Sequence, residues 1–231
     1  MDILNELRNV YSKYILTFII FLGGLAVAEA SPSVEAWRKG PDPFGKQSWE
    51  HIGEDDGVKL GRKFYKKVGL YAVRGELLID APIETVASII YDESRWVEWS
   101  LATKSARLLE ADPKGMKTVL QEVDMPMPLS DRYMVYTFGG TKVGDQLIFI
   151  GRSLPYRKIN NDGVQMSLTE GRWFLTPQGK KTHVVLEILL DPKGYLPKWF
   201  VNLAQRSYPS GALVAIAKHA KRKDIKPYKM P

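Results

Sequence analysis

Few side chains in this sequence are placed to do chemistry. The chain has no cysteine, which excludes disulfides, thiolate nucleophiles and Cys-based zinc sites. Its three histidines, His51, His183 and His219, lie far apart without H-x-x-x-H spacing, so no metal site is expected. There is no G-x-S-x-G motif, and Ser210, in Pro-Ser-Gly, lacks that frame. Gly139-Gly140 and Gly144 do not open a helical pattern, so a phosphate-binding glycine loop is absent as well. Aromatic and basic residues do not interleave as they do in nucleic-acid readers, so no nucleic-acid partner is expected. The one titratable set that could act together is Glu122, Arg132 and Tyr136. It would serve acid–base chemistry only if the fold gathered it deep in a cavity. No cofactor is expected.

These residues sit among short strands and turns. Ser48–Ile52 and Val58–Tyr65 flank Asp56-Gly57, a strong hairpin signal. Leu70–Ile79 follows as a strand, and Asp80-Ala81-Pro82-Ile83-Glu84 reads as a helix start. SRWVEW, Ser94–Trp99, reads as a short second helix whose two tryptophans, three apart, share a face. Further strands are predicted over 105–110, 116–123, 132–138, 146–153, 164–175 and 181–190. Met125-Pro126-Met127-Pro128 interrupts them, because two prolines cannot both sit in a central strand. Short links between consecutive strands predict an antiparallel meander.

The stretch Asp191–Lys221 is the one long helical pattern outside the leader. Phe200, Leu203, Ala204, Ala212, Leu213, Ile216 and Ala217 recur at three- and four-residue steps. Pro209 interrupts the run and should kink or break it; flexibility is expected at Pro209 and Gly211. An amphipathic helix after a run of strands needs a sheet to bury itself on, so an α+β fold is expected. In it, a curved antiparallel sheet wraps around the C-terminal helix. The small residues Ala204, Ser207, Gly211, Ala212 and Ala215 suit either a hollow under that helix or close helix–sheet packing.

With 231 residues, 45% hydrophobic and 26% charged, the chain has the composition of one ordered domain with an appendage. Residues 1–30 read as a secretory signal peptide: Arg8 and Lys13, an apolar run Tyr14–Val27, then Ala28-Glu29-Ala30 before Ser31. An uncleaved anchor is the alternative, although the run is short of the about 20 residues a spanning helix needs. Residues 31–46, rich in proline and glycine, read as a linker. Residues 47–221 form the domain and 222–231 a basic tail. The formal net charge of +7 suits transient contact with an anionic membrane surface. A monomer is expected, exported to the periplasm or secreted.

Three motifs in this order resemble the START lipid-transfer domains of the helix-grip superfamily. They are RGELLIDAPIETVASIIYDESRWVEW (Arg74–Trp99), PMPLSDRYMVY (Pro126–Tyr136) and DPKGYLPKWFVNLAQRS (Asp191–Ser207). The resemblance spans roughly 47–220. It implies a helix-grip fold with a hydrophobic tunnel under the C-terminal helix, holding one lipid or other hydrophobic small molecule, mostly without catalysis. The wall is then expected from Trp96, Trp99, Met125, Met127, Tyr136, Trp173, Phe200 and Leu203, side chains that bury much area and adapt to a flexible ligand. Glu122, Arg132 and Asn202 are candidates to fix a polar head group. The plain alternatives are ordinary core for the apolar set and a pair with Asp131 or Glu122 for Arg132. For Asn202 the alternative is a backbone bond near the helix start. Helix-grip relatives also include cyclases and hydrolases, which keeps a catalytic reading of Glu122, Arg132 and Tyr136 as the second hypothesis.

Overall fold

The computed structural model describes residue 39 and residues 42–229, except 101, 114, 155–158 and 160. The leader and most of the linker lie outside the described residues. The strands are β1 (Glu50–Asp55), β2 (Val58–Tyr65), β3 (Leu70–Ile79), β4 (Thr103–Ala111), β5 (Lys117–Val123), β6 (Arg132–Val143), β7 (Gln146–Ser153), β8 (Val164–Gln165), β9 (Ser167–Gln178) and β10 (Lys181–Asp191). The helices are α1 (Ile83–Tyr91), α2 (Trp96–Trp99), α3 (Lys198–Arg206) and α4 (Tyr208–His219), with a 3-10 turn at Glu93–Arg95.

All strands join one sheet in the order β1-β2-β3-β10-β9-β7-β6-β5-β4, with β8 beside β6. Every pairing is antiparallel except β6 with β8. The expected hairpin is present: Asp55 pairs with Val58, and Asp56 and Gly57 both take positive φ, 49° and 77°, the two-residue turn that Asp-Gly favours.

The sheet departs from a simple meander at one place. After β3 the chain leaves through α1 and α2 and re-enters at the opposite edge as β4, and the last strand, β10, fills the gap beside β3. The stretch 164–175, read as one strand, is also split. Val164 and Met166 donate to Asp131 O and Tyr133 O at 2.9 and 2.8 Å, which aligns β8 with β6 before β9 turns to β7.

Strand alternation decides what faces inward. On β6, Met134, Tyr136 and Phe138 join the main core, while Tyr133 and Val135 join a separate cluster on the other face. The main core combines this concave face with Val86, Ile89 and Ile90 of α1 and Ala212, Leu213 and Ile216 of α4. At β3 the helix approaches so closely that a Cβ on Gly75 would lie 2.6 Å from Pro209 Cβ.

The C-terminal helical stretch is broken at Ser207, two residues before Pro209. A straight continuation would leave Pro209 without an N–H for the i−4 carbonyl and press its ring against that carbonyl. Pro209 sits instead in the first turn of α4, buried. The non-helical residue is therefore Ser207, and Pro209 is clamped against the sheet.

Both ends of the described chain pack more than their composition suggests. Phe44, placed in the linker by sequence, is 2% exposed among Leu70, Ala72, Leu189 and Val201. Lys63 Nζ donates to Asp42 Oδ2 at 3.0 Å and to Gly45 O at 3.2 Å, fastening the same segment. At the other end the Tyr228 N–H donates to Glu84 O at 2.9 Å. The Tyr228 ring lies 5.0 Å from that of Tyr91 and 5.6 Å from that of Phe149. Arg222 donates to Glu98 and Asp224, and Arg95 donates to the same two carboxylates. These guanidinium groups hold both carboxyls below the usual range. The basic tail, through residue 229, is thus a strap along α1 and α2.

Candidate functional site

Between the concave face, α2 and the α3–α4 junction lies a cavity of ≈ 630 Å³. Strands and helices both build its wall. Gln121 and Val123 come from β5, and Met134, Tyr136 and Phe138 from β6. Trp173 of β9 and Ile188 and Leu190 of β10 close the sheet side. Trp96, Trp99 and Ser100 enter from α2 and its end, and Ala204, Gln205, Ser207 and Tyr208 from the broken helix. The small residues of that helix divide between the two uses open to them: Ala212 packs in the core, while Ala204 and Ser207 border the hollow.

The two tryptophans are held by their polar edges. Trp96 Nε1 donates to Ile90 O at 2.9 Å and Trp99 Nε1 to Ile89 O at 3.2 Å, using carbonyls near the end of α1. Their apolar faces are left for packing. The Trp96 ring stacks on Tyr136 at 5.9 Å, and Trp99 meets Trp173 edge-on at 5.9 Å.

Polar groups in the wall are few and mostly engaged with each other. The Tyr136 hydroxyl donates to Gln121 Oε1 at 3.0 Å, and Gln121 Nε2 donates to Thr103 Oγ1 at 2.7 Å. Tyr208 and Ser100 also border the cavity. Burial pushes the Tyr136 hydroxyl well above its ordinary range and raises Tyr208 too, so both are neutral phenols. Gln205 Nε2 donates to Leu190 O at 2.7 Å, while its buried Oε1 has no partner among the described residues. No lysine, arginine or histidine lines the cavity among the described residues; the one charged side chain is the exposed Asp124. Met127 lines the cavity yet is 86% exposed, which places a mouth at the loop 124–130.

Of the residues singled out in the sequence, Trp96, Trp99, Met125, Met127, Tyr136 and Trp173 come together around this cavity. Five others do not line it. Glu122 follows Gln121 on β5 and so points to the opposite face. It accepts from Ser105 Oγ and Asn161 Nδ2, both at 2.5 Å. Arg132 is buried, but its guanidinium donates to Pro192 O and Ser130 O. Desolvation pulls its pKa down. Glu122 and Arg132 border a separate polar cleft of ≈ 440 Å³ with Lys104, Asp131 and Asn161, so the set Glu122, Arg132, Tyr136 is not assembled.

Asn202 Oδ1 accepts from the Tyr71 N–H at 2.9 Å and ties α3 to β3, the backbone role held open for it. Phe200 is buried away from the cavity, and Leu203 is 46% exposed. On α3, Ala204 and Gln205 turn inward, while Trp199 and Leu203, four residues apart, face out.

The wall residues that sequence reasoning missed are mostly legible in hindsight. Met134 follows from alternation with Tyr136, and Gln121 from alternation with Val123. Tyr208 and Ser100 carry no local signal, because each sits at a helix boundary that only the folded chain defines.

Several solved structures share this architecture. A STAR-related lipid transfer protein from Xanthomonas axonopodis superposes with a TM-score of 0.69 at 23% identity, over 76% of this chain and 100% of that one. Human STARD10 matches with a TM-score of 0.71 at 18% identity, over 84% and 81% of the two chains. Human StAR-related lipid transfer protein 5 matches with a TM-score of 0.67 at 14% identity, over 95% and 97%. No family model matches the sequence, and no curated protein does either. The fold is therefore the α+β helix-grip fold of START lipid-transfer domains, and the likeness carried by three sequence motifs is met in three dimensions.

Proposed function

We propose that this chain binds a lipid or other hydrophobic small molecule in the cavity between sheet and broken helix, and carries or senses it without catalysing a reaction on it. The observation that supports this most is the wall itself. A volume of ≈ 630 Å³ is bordered by tryptophan, methionine, tyrosine and aliphatic side chains, with a few neutral polar groups. That is the make-up of a small-molecule pocket, and burying apolar ligand surface there is worth about 25 cal/mol per Å². The catalytic alternative rested on Glu122, Arg132 and Tyr136, which lie on two different surfaces.

The ligand passes through the mouth at Met125–Met127. We place this exchange at an anionic membrane surface, consistent with the net charge of +7. The leader over residues 1–30 directs the chain to the periplasm or outside the cell, as a monomer whose mature form starts at Ser31. N-terminal sequencing of the exported protein checks that start; an intact Met1 would replace cleavage with anchoring.

Uptake of fluorescent lipids of several classes, a single-chain alcohol and a sterol included, from anionic vesicles tests the binding reading. Saturable uptake that Trp99→Asp abolishes is the expected result. No uptake by the native protein would overturn it.

A further inference from the structure

The cavity also carries information about the kind of molecule it takes, and this step rests on the binding reading above. A dry cavity of ~150 Å³ holds one benzene. At the same filling, ≈ 630 Å³ has room for about 25 non-hydrogen atoms. A two-chain glycerophospholipid has roughly twice that number, and pockets enclose most of their ligand's surface.

Charge narrows the choice further. The described wall contains no cation, and its single acid, Asp124, stands exposed at the rim. A carboxylate or phosphate drawn inside would lose its hydration without gaining a counter-ion, which is costly. The polar side chains available inside are neutral: Gln121, Tyr136, Ser100, Tyr208, Ser207 and Gln205, whose Oε1 has no partner among the described residues. Tyr136 has already donated its hydroxyl hydrogen to Gln121 Oε1, so its oxygen offers only an acceptor lone pair. Tyr208 and Ser100 border the same hollow. A group that can give a hydrogen bond to Tyr136, and that carries no charge, fits this pole.

We propose that the ligand is a neutral alcohol of about 25 non-hydrogen atoms or fewer, single-chain or fused-ring, whose hydroxyl donates to Tyr136 Oη while its hydrocarbon body lies along Trp96, Trp99, Met134 and Trp173. Free carboxylates and two-chain phospholipids are rejected by the same wall.

The test titrates the full mature protein with hexadecanol, hexadecanoate and hexadecane delivered from cyclodextrin, and with dioleoyl phosphatidylcholine vesicles. Quenching of the wall tryptophans is the readout. At about pH 8, where the acid is ionised, hexadecanol should bind at least about tenfold more tightly than hexadecanoate. The phospholipid should neither bind nor displace the alcohol. Equal or tighter binding of the acid, or displacement by the phospholipid, overturns the proposal while leaving a ligand-binding cavity in place. Failure of every probe to bind overturns both this proposal and the function it rests on. In Tyr136→Phe the hexadecanol-to-hexadecane affinity ratio should fall about tenfold; an unchanged ratio in a variant that keeps its circular dichroism spectrum also overturns it. The wild-type comparison stands if that variant does not fold.

Discussion

The Tyr136 hydroxyl donates to Gln121 Oε1 at 3.0 Å across neighbouring strands β6 and β5, inside an apolar wall. The bond needs a neutral phenol, and burial supplies one by pushing the hydroxyl well above its ordinary value of 10.0. The unfolded chain loses that proton near its ordinary value while the folded chain keeps it. The stability this group contributes is therefore complete below about pH 10 and falls as the pH rises further, by about 1.4 kcal/mol per pH unit. Tyr136→Phe should remove that part of the decline. Urea midpoints measured from about pH 9 to 11 check this; equal slopes in the native protein and the variant would contradict it.

Gly75 is the floor on which α4 rests. An added Cβ would meet Pro209 Cβ at 2.6 Å and Leu213 Cδ1 at 3.0 Å, and the proline ring has little freedom to yield. Gly75→Ala should cost about 1–3 kcal/mol by overpacking, read from chemical denaturation. A neutral effect would mean that α4 does not sit this close to β3.

Because Pro209 is clamped there, motion that admits ligand falls to α3, Ser207 and the loop 124–130. Pro209→Ala should leave lipid exchange rates within about twofold of native, since its ring packs on β3 and not on the segments that move. A large change in stopped-flow exchange would return the gate to Pro209.

The segment before Gln47 belongs to the folded unit. Phe44 is 2% exposed and its neighbours come from β3, β10 and α3. Phe44→Ala should destabilise by about 3–5 kcal/mol, and a chain started at Gln47 should lose a similar amount. Thermal melting of the two forms measures it.

The C-terminal strap makes a parallel case. Tyr228→Ala removes a half-buried ring from Tyr91 and Phe149 and should cost about 2 kcal/mol. Melting that matched native would show the strap to be an idle contact.

Much of this fold was legible locally. Asp56-Gly57 marked its hairpin, Pro82 the start of α1, and the alternation around Tyr136 its inward face. What escaped was set by distant parts of the chain. The pairing of β3 with β10 joins residues more than a hundred positions apart, and no local pattern reports it. On α3 the apolar stripe divides: Phe200 is buried away from the cavity and Leu203 faces out, while Ala204 and Gln205 border the hollow. Phe44 was hidden by its Pro- and Gly-rich neighbours, and Tyr228 by a run of lysines. Glu122 and Arg132 were chosen for their charge; alternation along β5 puts Glu122 outside, and backbone carbonyls claim Arg132.

Native mass spectrometry of the protein purified without delipidation reads occupancy of the cavity directly. One bound hydrophobic molecule per chain is expected, of a mass that ≈ 630 Å³ accommodates, released by denaturation and reduced in Trp99→Asp. A protein that flies ligand-free under gentle conditions, and stays so after incubation with lipid extracts, would contradict it.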